Sequence, residues 1–489
     1  MDNIAQTDEL FQQFLTFEAE SKLLEKYQID GIPLWANCRF AVFLDLLNAK
    51  GFIGRDMGVS AGKIELIKRQ LRRALAMIRS GKLFRHPGKF PEGVDVLLVN
   101  QPRKVLFEGR YGCKYSYLWS EFSQLNMGTI EPPLLFGDIP HLEPSHFEAS
   151  TYYTDRLLFA GKWQEIKGSR FKDKQAEIIS KKIASQLCRT FGVPEKEGYY
   201  TRFIYKRFLY YRFFRDYWKK FLQRKNPGSV VVVNAYSSEN MPLIQAANEM
   251  GIKTVEIQHG TMGSRHIAYN YPPGVYNFFP KYLLVWGAFW RDTTRLPIPE
   301  GNCVISGFPF LEKSMREVKA TKQYDVLFIS QITIGEQMIR YAKELAEHHP
   351  ELSIVYKLHP SEVGKVQQWE AFFRGTGIKL EYQSDLYTEL RKASVVVGVY
   401  STSLFEALAF GLRPVILTDL YGAGHMDELI AKGGAVGVIN GEELWKAIAE
   451  ALNQQQNETD LSYFFAPHSL ENTEKAITQI LNDDRNPRY

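Results

Sequence analysis

The chain has 489 residues, 45% of them hydrophobic and 24% charged, with a formal net charge of +5. That length exceeds one ordinary core and predicts two or three domains. The composition is that of a globular protein, and so mild a charge gives no reason to expect nucleic acid.

Residues 1–90 read as a helical N-terminal extension, with Gly-Pro punctuation near its end. The apolar run 94–99 lies between turn signals, as a buried parallel strand does. A loop-rich region to about 170 and helices to about 225 follow. From there strands and helices alternate. Strand 229–233 leads to helix 241–250, which Gly251 ends as a left-handed cap; strands 254–257, 282–286 and 303–305 close the series. Beyond a linker at 311–323 a second series begins, with strands 325–330, 353–358, 379–382, 394–399, 414–418 and 435–439. Helices 336–348, 386–392, 404–410, 425–431 and 442–452 are interleaved among them. Such alternation predicts an α/β protein with two Rossmann-like domains, 91–310 and 324–455, made of parallel sheets with right-handed crossovers. The stretch 456–489 supplies a last helix near 470–481 that can cross back onto the first domain.

The segment 199–227 carries nine basic residues against one acid, Asp216. Phe203, Ile204, Phe208, Tyr211, Phe214, Trp218, Phe221 and Leu222 form a helical stripe through it. Two readings stay open: cations and rings at an anionic lipid surface, or a stripe packed into the first domain with a solvated basic face. No nucleic-acid recognition motif accompanies it. Cys38, Cys113, Cys188 and Cys303 are widely spaced without a CxxC pair, which argues against a disulfide framework or a zinc site. No secretory leader and no bilayer-length apolar run is visible, so the expectation is a cytoplasmic protein.

In open α/β sheets ligands bind beyond the carboxyl ends of the strands, and polar residues recur there. Asn234 to Glu239 follow one strand; Gln258, His259, Gly260 and Thr261, with Arg265 just behind, follow the next. Gln331 to Thr333, then Lys357 with His359 and Pro360, then Tyr400, Ser401, Thr402 and Ser403 repeat this in the second series. Five such endings point to one shared cleft, and His259 is read as part of it rather than as a satisfied turn. Ser403 and Glu406 match a capping box, and a capped helix start also presents N–H groups and a positive dipole end to phosphate. Ser401 and Thr402, outside that cap, are then the phosphate or phosphosugar contacts. His359 can donate to a phosphate or leaving oxygen, and Lys357 is expected on the same strand face. No Asp-x-Asp pair, P-loop or nucleophile elbow is present, so neither a metal nor a cofactor is expected.

Ile257-Gln258-His259-Gly260-Thr261, Val304-Ile305-Ser306-Gly307-Phe308-Pro309, Tyr356-Lys357-Leu358-His359-Pro360 and the run from Tyr400 to Gly411 resemble bacterial GT-B glycosyltransferases of the capsule and surface-polysaccharide type. These include Kdo transferases, His-Pro-motif sialyltransferases and CDP-glycerol glycerophosphotransferases. The resemblance covers about residues 228–455. It implies two Rossmann-like domains facing a cleft, an acceptor side in the first and a donor side in the second. By that resemblance His359, Ser401, Thr402 and Ser403 bind donor phosphate, and His259 is the catalytic base or a positioning group. Glu239 and Glu108 are the alternative bases. Lys357, Arg265 and Arg413 are available to offset leaving-group charge without a metal. The implied partners are a phosphate-activated sugar donor and a glycan or lipid-linked acceptor, the latter met by helix 199–225 at the inner membrane surface. The rival readings are a nucleotide-sugar 2-epimerase of the same architecture and a non-catalytic assembly subunit.

Overall fold

The computed structural model describes residues 2–52, 72, 74–84, 90–134, 139–145, 150–167, 173–316, 321–453 and 459–483. Part of the predicted N-terminal extension, residues 53–71, therefore lies outside the described residues. The first sheet begins with β1 (Val96–Val99), which runs into an antiparallel hairpin of β2 (Lys104–Phe107) and β3 (Arg110–Cys113). It continues with β4 (Met127–Glu131), β5 (Thr151–Tyr153), β6 (Ser229–Val233), β7 (Lys253–Ile257), β8 (Tyr282–Val285) and β9 (Cys303–Ile305). Its seven strands are all parallel, in the order β9-β8-β7-β6-β1-β4-β5. The second sheet comprises β10 (Tyr324–Ile329), β11 (Ile354–Lys357), β12 (Lys379–Glu381), β13 (Ala393–Gly398), β14 (Val415–Leu417) and β15 (Val436–Val438). It too is parallel, in the order β12-β11-β10-β13-β14-β15.

The central strands explain themselves. All residues of β1 and β6 are buried, and Val- and Leu-rich runs suit a sheet covered on both faces. In each sheet the chain order reverses at one place, between β1 and β6 in the first and between β10 and β13 in the second. Crevices form at such reversals, just outside the carboxyl ends of the strands. The α/β class and the two Rossmann-like halves expected from the alternation are what the chain adopts.

Among the helices are α1 (Asp2–Ser21), α2 (Asp155–Lys167), α3 (Lys174–Phe191), α4 (Glu197–Lys225), α5 (Asn240–Glu249), α6 (Thr402–Leu408) and α7 (Ser469–Asn482). The expected loop-rich region thus contains the β2–β3 hairpin, β4, β5 and α2. Short strands with a glycine (Gly112, Gly128) and mixed polarity give little period-2 signal. Helix α4 settles the two readings of its stripe. Ile204, Phe208, Tyr211, Phe214, Trp218, Phe221 and Leu222 are buried, packed against α2, α3 and α5. Rings sealed in a core are not available to lipid. Six of its nine cations also have anionic partners: Arg207 and Glu165, Arg212 and Asp173, Arg215 and Asp216, Lys219 and Glu249, and both Arg224 and Lys225 with Glu92.

The N-terminal extension is pinned by a buried ion pair. Arg39 Nη2 lies 2.7 Å from Glu18 Oε2, with both side chains at most 1% exposed. The same guanidinium donates to the carbonyls of Ile267 and Asn270. At the other end, α7 crosses back to the first sheet: Trp119 Nε1 donates to Glu474 at 2.7 Å, and Lys253 Nζ to the Leu481 carbonyl at 2.7 Å. Among the described residues, no helix is long and apolar enough to cross a membrane.

Candidate functional site

The residues after β1, β6 and β7 converge. His259, just past β7, is 5% exposed. Its Nδ1 lies 3.5 Å from Glu256 Oε1 and its Nε2 3.3 Å from the Tyr236 hydroxyl. Glu256 projects from β7 itself, fully buried, and Oε1 is held by the Ala235 N–H at 3.0 Å and the Tyr269 hydroxyl at 2.8 Å. The Glu256 carboxylate thus faces the Nδ1 side of the ring without a close hydrogen bond to it, and Nε2, beside Tyr236, is the nitrogen placed to exchange a proton. Tyr115, from the strand side of the hairpin, meets the His259 ring edge-on at 6.2 Å.

Arg103 completes this side. It stands at the base of the β2–β3 hairpin, directly after β1, and donates from Nη1 to the Tyr115 hydroxyl at 3.1 Å. Its residue is exposed, yet Tyr115, Tyr236 and Glu406 all raise its pKa. Solvent access together with neighbours on several sides describes a residue in a concave wall.

The second half presents its own strand ends to these groups. Ser401 Oγ accepts from the Ser403 N–H at 3.2 Å, so Ser401 is the N-cap of α6 and Thr402 its first residue. The predicted capping box is displaced: Ser403 lies within the helix, with its hydroxyl 3.0 Å from that of Ser401. Glu406 does not cap; it pairs with Lys114 of the first half at 3.0 Å. Thr402 Oγ1 accepts from the Thr261 N–H at 3.1 Å, and a Cβ on Gly260 would lie 3.6 Å from that oxygen. Gln331 spans the reversal in the second sheet, Oε1 accepting from the Tyr400 N–H at 3.1 Å.

His359 forms the N-cap of the short helix at Pro360–Lys365, its Nδ1 accepting from the Ser361 N–H at 3.2 Å. That acceptor role puts the proton on Nε2, which is then a donor. Burial and then the Arg103 charge hold its pKa below the ordinary value, favouring this neutral form. No contact joins the rings of His259 and His359 directly. Arg103 is their common neighbour, through its charge on one and through Tyr115 and Tyr236 to the other.

Several expected site residues are engaged elsewhere. Glu239 accepts from the Tyr210 hydroxyl at 2.8 Å, turning back to α4; the carboxylate beside His259 is Glu256. Glu108 sits at the hairpin tip, 75% exposed, near Lys313. Gln258 is fully buried and holds the turn, donating to the Gly260 carbonyl and accepting from the Trp286 N–H. Lys357 shares no contact with His359: its Nζ donates to the Ser384 carbonyl at 2.6 Å. Arg265 ties α1 to the second half, pairing with Asp8 at 2.7 Å and with Asp427. Arg413 directly precedes Pro414 and β14, at the amino edge of the sheet. Sequence reasoning missed Glu256, Arg103 and Lys114, and included Tyr236 only as a member of the run 234–239. Only Glu256 carried a signal, as a lone acid in an apolar strand. Among the described residues, no group of three or more metal-ligating side chains is present.

No protein-family model matches the chain, and no curated protein does. Among solved structures, the UDP-GlcNAc 2-epimerase of Methanocaldococcus jannaschii is similar with a TM-score of 0.46 and 12% identity, covering 78% of this chain and 99% of its own. The enzyme of that name from Rickettsia bellii gives 0.45 and 11%, over 79% and 95%. A spinosyn rhamnosyltransferase complexed with spinosyn aglycone gives 0.37 and 11%, over 79% and 96%. Likenesses this loose carry no residue role or activity across to this chain.

Proposed function

We propose that the chain is a metal-independent glycosyltransferase of surface-polysaccharide synthesis. It moves a sugar, or a sugar-phosphate-like group, from a phosphate-activated donor to a hydroxyl of a glycan or lipid-linked acceptor. The observation that carries this reading is the Glu256–His259–Tyr236 line at the carboxyl end of the first sheet, directly against the capped start of α6 in the second.

In this reading the acceptor hydroxyl enters at His259 Nε2, beside Tyr236. As the acceptor oxygen bonds to the anomeric carbon, its proton passes to Nε2, and Glu256 stabilises the imidazolium on the Nδ1 side. The bond from that carbon to the donor phosphate oxygen breaks, and its electrons leave with the phosphate. The added negative charge meets Arg103, the Nε2–H of His359 and the Thr402 end of α6, with Ser401 and Ser403 alongside. Preorganised donors of this kind stabilise a leaving phosphate without a metal. Lys357 and Arg265, occupied as described, contribute through the framework.

The test is a thermal-shift and product assay with nucleotide sugars. A donor that binds the native state raises the transition by mass action. His259→Ala is expected to keep that shift while turnover falls by about 10²–10⁴-fold, the usual worth of a general base. A donor converted to an isomer with no acceptor present would replace this reading with the epimerase. Donor binding with product formation indifferent to His259 would replace the catalytic assignment.

A further inference from the structure

Helix α2 has two apolar faces, and only one is covered. Leu157 and Gly161 are buried, and Gly161 lets α2 lie so close to α4 that an added Cβ would meet Phe214 at 2.4 Å. On the opposite arc Phe159 is 39%, Trp163 54% and Ile166 60% exposed. Their spacing of four and three residues places them in one stripe. Arg156, Lys162 and Lys167 are exposed on its two borders, with Lys167 Nζ 5.5 Å above the Trp163 ring. The acids of α2 point away from this arc. Asp155 is fully buried under His141, and Glu165 is drawn to Lys162 and Arg207. On neighbouring α4, Arg202 and Lys206 lie two turns and one turn before Tyr210, the ring that Lys162 Nζ approaches to 5.5 Å.

An apolar stripe containing Trp, edged by Arg156 and Lys167 on one side and by Lys162, paired with Glu165, on the other, and with no exposed acid among the described residues of α2, matches a surface that is apolar below and anionic above. We propose that this face of α2 docks on an anionic lipid bilayer, with Phe159, Trp163 and Ile166 at the head-group boundary and the bordering cations on lipid phosphates. The lipid contact that was one of the two readings of α4 is in this proposal placed on α2, which lies on it. The inference does not depend on the transferase reading, since it concerns a face remote from His259 in sequence and in contacts.

The experiment is co-sedimentation of the full chain with vesicles of phosphatidylglycerol and phosphatidylcholine, and with vesicles of phosphatidylcholine alone. Binding is expected to the anionic vesicles, weakly to the neutral ones, and to fall with added salt. Phe159→Ala/Trp163→Ala/Ile166→Ala and, separately, Arg156→Glu/Lys162→Glu/Lys167→Glu should each lower it about tenfold or more, with circular dichroism melts unchanged. Lack of binding by the native chain overturns the proposal, as does equal binding by the folded triple variants. A native dimer that the apolar variant turns into a monomer, without vesicle binding, would make the face a protein interface instead.

Discussion

Glu256 earns its place by what burial does to a carboxylate. A buried acid is costly unless hydrogen-bonded, and two donors on Oε1 hold this one beside His259. Glu256→Gln keeps the shape and removes the charge that stabilises an imidazolium, so kcat should drop with little change in the donor-induced thermal shift. Steady-state kinetics beside the melts checks it. Arg103 acts on His359 at the same scale. Burial lowers the His359 pKa most and the Arg103 charge adds to that. Removing the cation with Arg103→Met should therefore raise it part of the way back towards 6.5, as a proton NMR titration of the ring would report. The same variant should weaken donor binding, because the leaving phosphate loses a cation.

At the scale of elements, two pieces outside the sheets govern the site. The β2–β3 hairpin holds Arg103, Lys114 and Tyr115 together at the open end of one short antiparallel ladder, beside His259. Its base is tied by the Lys114 N–H to the Arg103 carbonyl at 3.1 Å. The N-terminal extension grips the loop after β7 through Arg39, whose guanidinium also stacks 4.1 Å above the Tyr271 ring. Breaking a buried pair by deleting one partner leaves an uncompensated charge and costs about 3–5 kcal/mol. Glu18→Ala should lower the denaturation midpoint accordingly, and hydrogen exchange should rise first across residues 258–271. Uniform exchange throughout the molecule would deny the extension its role as a buttress.

Across the whole molecule, the seam between the halves combines polar ties, Thr261 to Thr402, Lys114 to Glu406 and Arg265 to Asp427, with buried rings: Phe405 of α6 packs 4.6 Å from Trp290 and 5.4 Å from Phe289. His259 is only 5% exposed at this seam, so the proposed transfer would require the halves to separate, rings and polar ties together, as hinged domains do. Two histidines make the seam acid-sensitive. Burial first, then neighbouring positive charge, lowers His266 to about 3 and His425 to about 4; their rings lie 6.4 Å apart across the seam. Below the ordinary value of 6.5 an unfolded histidine takes a proton that the folded one refuses. Stability is therefore full above that pH and falls as pH drops towards 4, by about 1.4 kcal/mol per unit for each group. Melts between pH 7 and 5 should show this loss, and His266→Asn/His425→Asn should flatten it.

By itself the sequence determined the strands, their parallel pairing and the strand ends at which chemistry sits, because buried Val and Leu runs and their turn signals are local facts. It also located His259, Thr402 and His359 by their position just past those strands. Which of the polar neighbours serve the cleft was decided only in three dimensions. Glu239 and Glu256 look alike as residues, but only Glu256 is on the strand that ends at His259. Arg103 lies 156 positions from His259 and reaches it through a hairpin that short, mixed-polarity strands hardly announce. The rings of α4 read equally well as lipid-facing or as core, since periodicity fixes a face of a helix and not what covers it. Packing made that choice, burying α4 and leaving the stripe of α2 outside.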